Sequence, residues 1–186
     1  DAMPIDFAEE LKAWSSQLQH SKNMLIILEK KFLEVPQGGT AVGSGINAHK
    51  QFAKYFAQEL TKLWGNKYVP CKNFYHELSA QDCSVQLSGE LKNLAVILMK
   101  ISNDLRWMNS GPLAGLSEIE LKALQPGSSI MPGKVNPVIP EAVAMASADV
   151  IGNDVTITVA AQSGSFQLNV MLPVIAYNLL KSINLL

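Results

Sequence analysis

Apolar residues recur in alternating steps of four and three along two long segments of this 186-residue chain. Phe7, Leu11, Trp14, Leu18, Leu25, Leu28 and Phe32 form the first series, with Ser21 in the one missing place. Leu87, Leu91, Leu94, Leu98, Ile101, Leu105 and Met108 form the second. That spacing stacks apolar side chains on one face of a helix. At 1.5 Å of rise per residue, each helix is about 40 Å long. Neither can bury its stripe alone. The fold class predicted is therefore all-α, a bundle of long, nearly antiparallel helices.

Start and stop signals set the expected boundaries. Asp6 with Glu9 three places on is a variant of the capping box, and Pro36 with Gly38-Gly39 ends the first helix. The second helix is predicted from near Glu77 to just before Gly111-Pro112. A shorter one, His49 to Leu63, carries Phe52, Phe56, Leu60 and Leu63 on one face. The run from Glu141 to about Ala161 is dense in β-branched residues, among them Val150, Ile151, Val155, Thr156, Ile157, Thr158 and Val159. Propensity alone allows a strand there. Alternation is weak and no second strand is at hand, so the run is predicted to be a buried helix. Ser163-Gly164-Ser165 is a turn, and Phe166 to Leu186 a last helix bent near Pro173.

Composition narrows the function classes. Formal net charge is −1, which gives no electrostatic footprint for nucleic acid or an acidic membrane. Arg106 is the one arginine. Cys71 and Cys83 are too few for a disulfide framework and suit free thiols. No run of about 18 uncharged apolar residues occurs, so no membrane span is expected. Asp82-Cys83 has no histidine or second cysteine at metal spacing, and no phosphate cradle of the GxxxxGK[ST] type is present. Neither a metal nor a cofactor is predicted. The chain opens on Asp1 and closes on Leu186 within an apolar helical pattern. Residues 1–186 are read as a single helical domain, an internal part of a longer chain lacking its N-terminal and C-terminal domains. At 48% hydrophobic, with helices apolar on more than one face, it is expected to join other copies in a larger helical core.

One stretch does not serve packing. Pro126-Gly-Ser-Ser-Ile-Met-Pro-Gly-Lys-Val-Asn-Pro137 holds three prolines, two glycines, two serines, a lysine and an asparagine. Glycines open backbone angles closed to other residues, and prolines stiffen the path. The remaining N–H groups and the Ser128 and Ser129 hydroxyls are suited to surround an anion. Lys134 adds positive charge and Asn136 a neutral donor. A helix starting near Glu141 turns its positive dipole end the same way. The chemistry suggested is recognition of a small carboxylate with a hydroxyl beside it. A loop this long is uncommon as a mere helix connection.

Gly127-Ser128-x-x-Met131-x-x-Lys134-x-Asn136 resembles the signature of the fumarase/aspartase superfamily, matching every fixed position. Three more segments are similar to family runs: Gly38 to Asn47, Lys100 to Pro112 (like class II fumarases) and Gln162 to Val170. Ser44 departs from the usual threonine but keeps a hydroxyl. The resemblance implies a lyase of the tricarboxylic acid cycle, the class II fumarase that reversibly adds water to fumarate to give L-malate. It implies Ser128 as the general base that takes a proton from the carbon beside a carboxylate. It further implies Ser129, Lys134 and Asn136 as carboxylate binders, and Glu141 as the partner of a catalytic histidine.

That histidine belongs, in the family, to a Thr-His segment just ahead of a stretch like Asp1 to Ile5. His20, His49 and His76 do not sit in that motif. The 186-residue chain alone is therefore expected to be inactive. The resemblance also implies a homotetramer whose active sites draw on three chains, with a dicarboxylate as the small-molecule partner. A cytoplasmic location, or the mitochondrial matrix in a eukaryote, goes with it. Two rivals stay open: aspartate ammonia-lyase, which shares the loop and the carbanion chemistry, and a non-catalytic helical structural protein of the same superfamily.

Overall fold

The computed structural model describes residues 3–186; Asp1 and Ala2, and with them part of the fumarase-like Asp1–Ile5 stretch, lie outside the described residues. Six α-helices carry the described chain: α1 (Phe7–Glu29), α2 (Phe52–Trp64), α3 (Phe74–Ser79), α4 (Asp82–Met108), α5 (Val138–Gln162) and α6 (Leu172–Leu185). Two-residue strands β1 (Glu34–Val35) and β2 (Val69–Pro70) pair in parallel, and Cys71 N–H extends the pairing to the Val35 carbonyl at 3.0 Å. The architecture is the predicted all-α bundle.

α1 begins where the sequence says it should. The Asp6 carboxylate accepts from Ala8 N–H at 2.8 Å. A 3-10 turn over Lys30–Leu33 ends it. Only Trp14, Ser21 and Leu28 are buried, one residue every seven. Ser21, the exception in the apolar series, is fully buried and donates to Glu90 at 2.6 Å. It ties α1 to α4. Lys31 to Gln86 and Lys100 to Glu10 bond across the same pair, so the two helices run antiparallel.

α4 and α5 form the centre. Ser88 and Lys92 both reach Asp154, while the far end of α4 meets the start of α5, so this pair is antiparallel too. The buried line on α4 is Ser88, Leu91, Ala95 and Ser102. The predicted leucine stripe is only half-buried apart from Leu91. Small residues at seven-residue steps let the backbones approach, and the leucines flank the seam. With Val150, Ile157 and Ala160 of α5 and Ile175 and Leu179 of α6, Leu91 and Ala95 make the core.

Four boundaries differ from expectation, the first being the helix predicted from His49, which begins at Phe52. The helix predicted from near Glu77 is two: α3 ends at Ser79 and α4 starts at Asp82. Asn73 caps α3 by accepting from His76 N–H at 3.2 Å. The last helix begins at Leu172, with Pro173 in its first turn, so there is no bend. Phe166 has φ +51°, and Ser165 and Leu168 bridge across it. Asn169, 2% exposed, donates to the Ala160 and Ala161 carbonyls at the end of α5. Finally, α5 starts at Val138, before Glu141. It is helical despite its β-branched run, because α4 and α6 bury one side of it.

α5 is apolar all round. By length and mean hydropathy (1.2) it is long and apolar enough to cross a membrane. It nevertheless carries Asp149 and Asp154, held by Lys181 at 2.8 Å and Lys92 at 2.6 Å. Met145 and Val155 stay 68% and 60% exposed, as do Tyr177 and Leu180 on α6. These are large apolar faces with no cover inside one chain.

Candidate active site

Residues 109–137 join α4 to α5 and contain two linked loops. The first is clasped by Ser110. Its Oγ donates to the Trp107 carbonyl at 2.6 Å and accepts from Leu116 N–H at 3.0 Å, and its carbonyl accepts from Ser117 N–H at 2.8 Å. Met108's carbonyl takes Glu118 N–H at 2.8 Å, and Asn109 Oδ1 takes Leu121 N–H at 2.8 Å. The chain leaving α4 is therefore fixed by its own polar groups.

The second loop holds the Gly127–Asn136 motif. Met131 N–H donates to the Ser128 carbonyl and Lys134 N–H to the Met131 carbonyl, two tight turns in succession. Gly133 takes φ +84°, open to glycine and closed to most residues. At Gly127 the limit is space, since a Cβ there would collide with the Lys134 carbonyl oxygen. The two ends of the motif thus touch backbone to backbone, and Ser128 follows directly on that contact. Ser128 is half-buried, and its Oγ accepts from Ile130 N–H at 3.2 Å.

A cavity of about 700 Å³ lies between the two loops. Lys134 and Glu141 line it, together with Asn103, Arg106, Trp107 and Asn109 from the end of α4. Of the residues predicted from sequence, these coordinates bring Lys134 and Glu141 to one cavity. Ser128, Ser129 and Asn136 are not in its lining. Ser129 is exposed, and Asn136 is half-buried between two lining residues, Val135 and Pro137. Glu141 sits in the first turn of α5, where the helix dipole favours a carboxylate.

No histidine is in the lining. His20 and His49 are exposed. His76 bonds Asp82 at 2.8 Å at the opposite end of α4, roughly 36 Å from Arg106 by helical rise. Its pKa is raised, first by that hydrogen bond and then by Glu77.

The sequence alone does not single out Asn103, Arg106 and Asn109 as site residues. The signal was present: steps of three put polar groups on one face at the end of a helix whose other positions are mostly apolar. It was masked because the same run reads as an ordinary solvated end.

Residues 1–152 match the family model described as lyase. The chain belongs to this lyase family. Among its relatives is a class II fumarate hydratase of Pseudomonas aeruginosa, 59% identical over the whole of this chain and 41% of the relative. Another, from Bacillus subtilis, is 47% identical over the whole chain and 40% of the relative. The fold superimposes on a class II fumarase from Schistosoma mansoni with a TM-score of 0.96 at 38% identity, covering all of this chain and 42% of that one. A fumarate lyase:delta crystallin from Brucella melitensis, solved bound to cobalt, gives 0.96 at 46%, covering all of this chain and 40% of that one. This member of the lyase family spans about two fifths of the length of the relatives it matches. Its resemblance to the class II fumarases thus runs through the whole chain rather than through the loop alone.

Proposed function

We propose that the full-length protein is a class II fumarate hydratase, interconverting fumarate and L-malate, and that this chain is its central helical domain. The observation that carries the reading is the closed motif loop. Gly127 packs against the Lys134 carbonyl, so the backbone leading into Ser128 lies against that of the motif's lysine. The likeness to class II fumarate hydratases along the entire chain supports it.

In this reading Ser128 Oγ takes the proton from the carbon next to a substrate carboxylate. A hydroxyl is a weak base unless its alkoxide is stabilised. Ile130 N–H already donates to Ser128 Oγ, and Lys134 is the cation assigned to stabilise the alkoxide. Ser129, Lys134 and Asn136 hold the carboxylates, and charge that builds up on the carbanion's carboxylate meets donors placed beforehand. Glu141 pairs with a histidine supplied by another segment of the complete assembly. The uncovered faces of α5 and α6 support a homotetramer, to be checked by sedimentation. A cytoplasmic location, or a mitochondrial one in a eukaryote, follows from the same reading.

In the full-length protein, Ser128→Ala is expected to cut malate turnover by about 10²-fold or more with the circular dichroism unchanged. An undiminished rate removes Ser128 as the base. Release of ammonia from aspartate, with no hydration of fumarate, would replace the hydratase by aspartate ammonia-lyase. Neither activity in the assembled protein would leave the structural-protein reading.

A further inference from the structure

A reversal after α2 builds a groove. Gly65 closes the helix in the left-handed region (φ +81°), and the chain from Lys67 to Pro70 returns alongside it. Thr61 clasps the two. Its Oγ donates to the Ala57 carbonyl at 2.8 Å and accepts from Tyr68 N–H at 2.9 Å. β2 is held in turn by β1. The hollow between helix and returning chain has a volume of about 470 Å³, within the range of small-molecule sites. It shares no residue with the cavity that Lys134 and Glu141 line.

Two chemistries meet in this groove. Ala57, Tyr68, Val69 and Pro70 give it a mostly apolar surface, and the one hydroxyl on α2 that could interrupt it, Thr61's, is already bonded. Lys54, Lys62 and Lys67 line the same groove, and no carboxylate does. Lys62 is paired with Glu59 at 2.6 Å. Among the described residues, Lys54 and Lys67 have no carboxylate at ion-pair distance. Lys62, in the last turn of α2, suits the negative end of the helix dipole. Lys54 does not: it lies in the first turn, where the dipole disfavours a cation. Helix stability therefore leaves Lys54 unexplained.

An inorganic anion would leave the apolar surface uncovered. A neutral apolar molecule would leave the lysines unused. We propose that the groove binds an organic anion with an apolar body, its acid group held by Lys54 and Lys67 and its apolar part laid against Tyr68, Val69 and Pro70. This site stands apart from the hydratase reading, and neither depends on the other.

The test uses the full-length assembled protein and two fluorescent probes. 1-Anilinonaphthalene-8-sulfonate carries the acid group; N-phenyl-1-naphthylamine has nearly the same body without it. Lys54 and Lys67 are exposed, so Lys54→Gln and Lys67→Gln leave the packing alone. Each is expected to weaken the sulfonate roughly threefold, the range of an exposed ion pair, and the double variant about tenfold. Added salt should weaken sulfonate binding to the wild type in the same direction. The uncharged probe should bind wild type and double variant alike.

Sulfonate affinity within twofold of wild type in the double variant overturns the proposal, as does absence of sulfonate binding to the wild type. An equal loss of both probes overturns it too, because the lysines would then shape the groove rather than meet a charge.

Discussion

Gly127→Ala isolates the geometry on which the proposed chemistry depends. Nothing about Gly127's backbone angle excludes alanine, because only Gly133 in the motif has a positive φ. The whole effect comes from the new Cβ meeting the Lys134 carbonyl. To restore ordinary contact the two strands of the loop must part by roughly 1 Å. A displacement of that size at a reacting group costs about 10²-fold in rate. The loop is largely exposed, so the loss of stability should stay near the low end of overpacking, about 1 kcal/mol. In the full-length protein, kcat for malate dehydration, followed by the ultraviolet absorbance of fumarate, is expected to fall about a hundredfold. The thermal midpoint should drop by only a few degrees. Gly65→Ala is the comparison. It forces a side chain into the left-handed cap of α2 (φ +81°) with open space around it, so it should cost a similar stability and no activity. A Gly127→Ala enzyme within threefold of wild type would refute the claim that this contact positions Ser128.

Asp154→Ala removes the acceptor of Ser88 and of Lys92 from the centre of the bundle. Lys92 can turn to water, but Ser88 is buried, so a loss of about 2–3 kcal/mol is expected from urea denaturation. His76, its pKa raised by Asp82 and Glu77, contributes stability that is fully present below the ordinary histidine pKa and lost as pH rises through the raised value. In Asp82→Asn the His76 ring resonances should titrate at lower pH than in wild type, and that part of the pH dependence of the α3–α4 joint should vanish; an unmoved midpoint would remove Asp82 as the cause.

The long helices and the motif loop were legible because each is written in a repeating or dense local code. α5 was legible only by exclusion: seven β-branched residues argue for strand, and burial between α4 and α6 decides for helix. The break at Ala80–Gln81 was not legible, since neither residue is a breaker and the stop lies in how Asn73 and Asp82 bond to His76. At Pro173 the reverse happened. A proline that looked like a kink in a helix is its first turn, because Asn169 folds back to seal the preceding one. At the candidate site the turn-rich loop could be read from residue types, and of the residues predicted there Lys134 and Glu141 line one cavity. Asn103, Arg106 and Asn109, which line the same cavity, read in sequence as an ordinary solvated helix end.

The seam of Ser88, Ala95 and Ser102 bears on what can move around the loops. Leu91 of α4 interlocks with Val150 and Ile157 of α5 beside these small residues, and the Asp154 bonds fasten the two helices lengthwise. Asn109 and Val138 therefore act as two posts set in one block. Any shift of the loops relative to this block is then a swing of the arm strung between the posts, which themselves stay put.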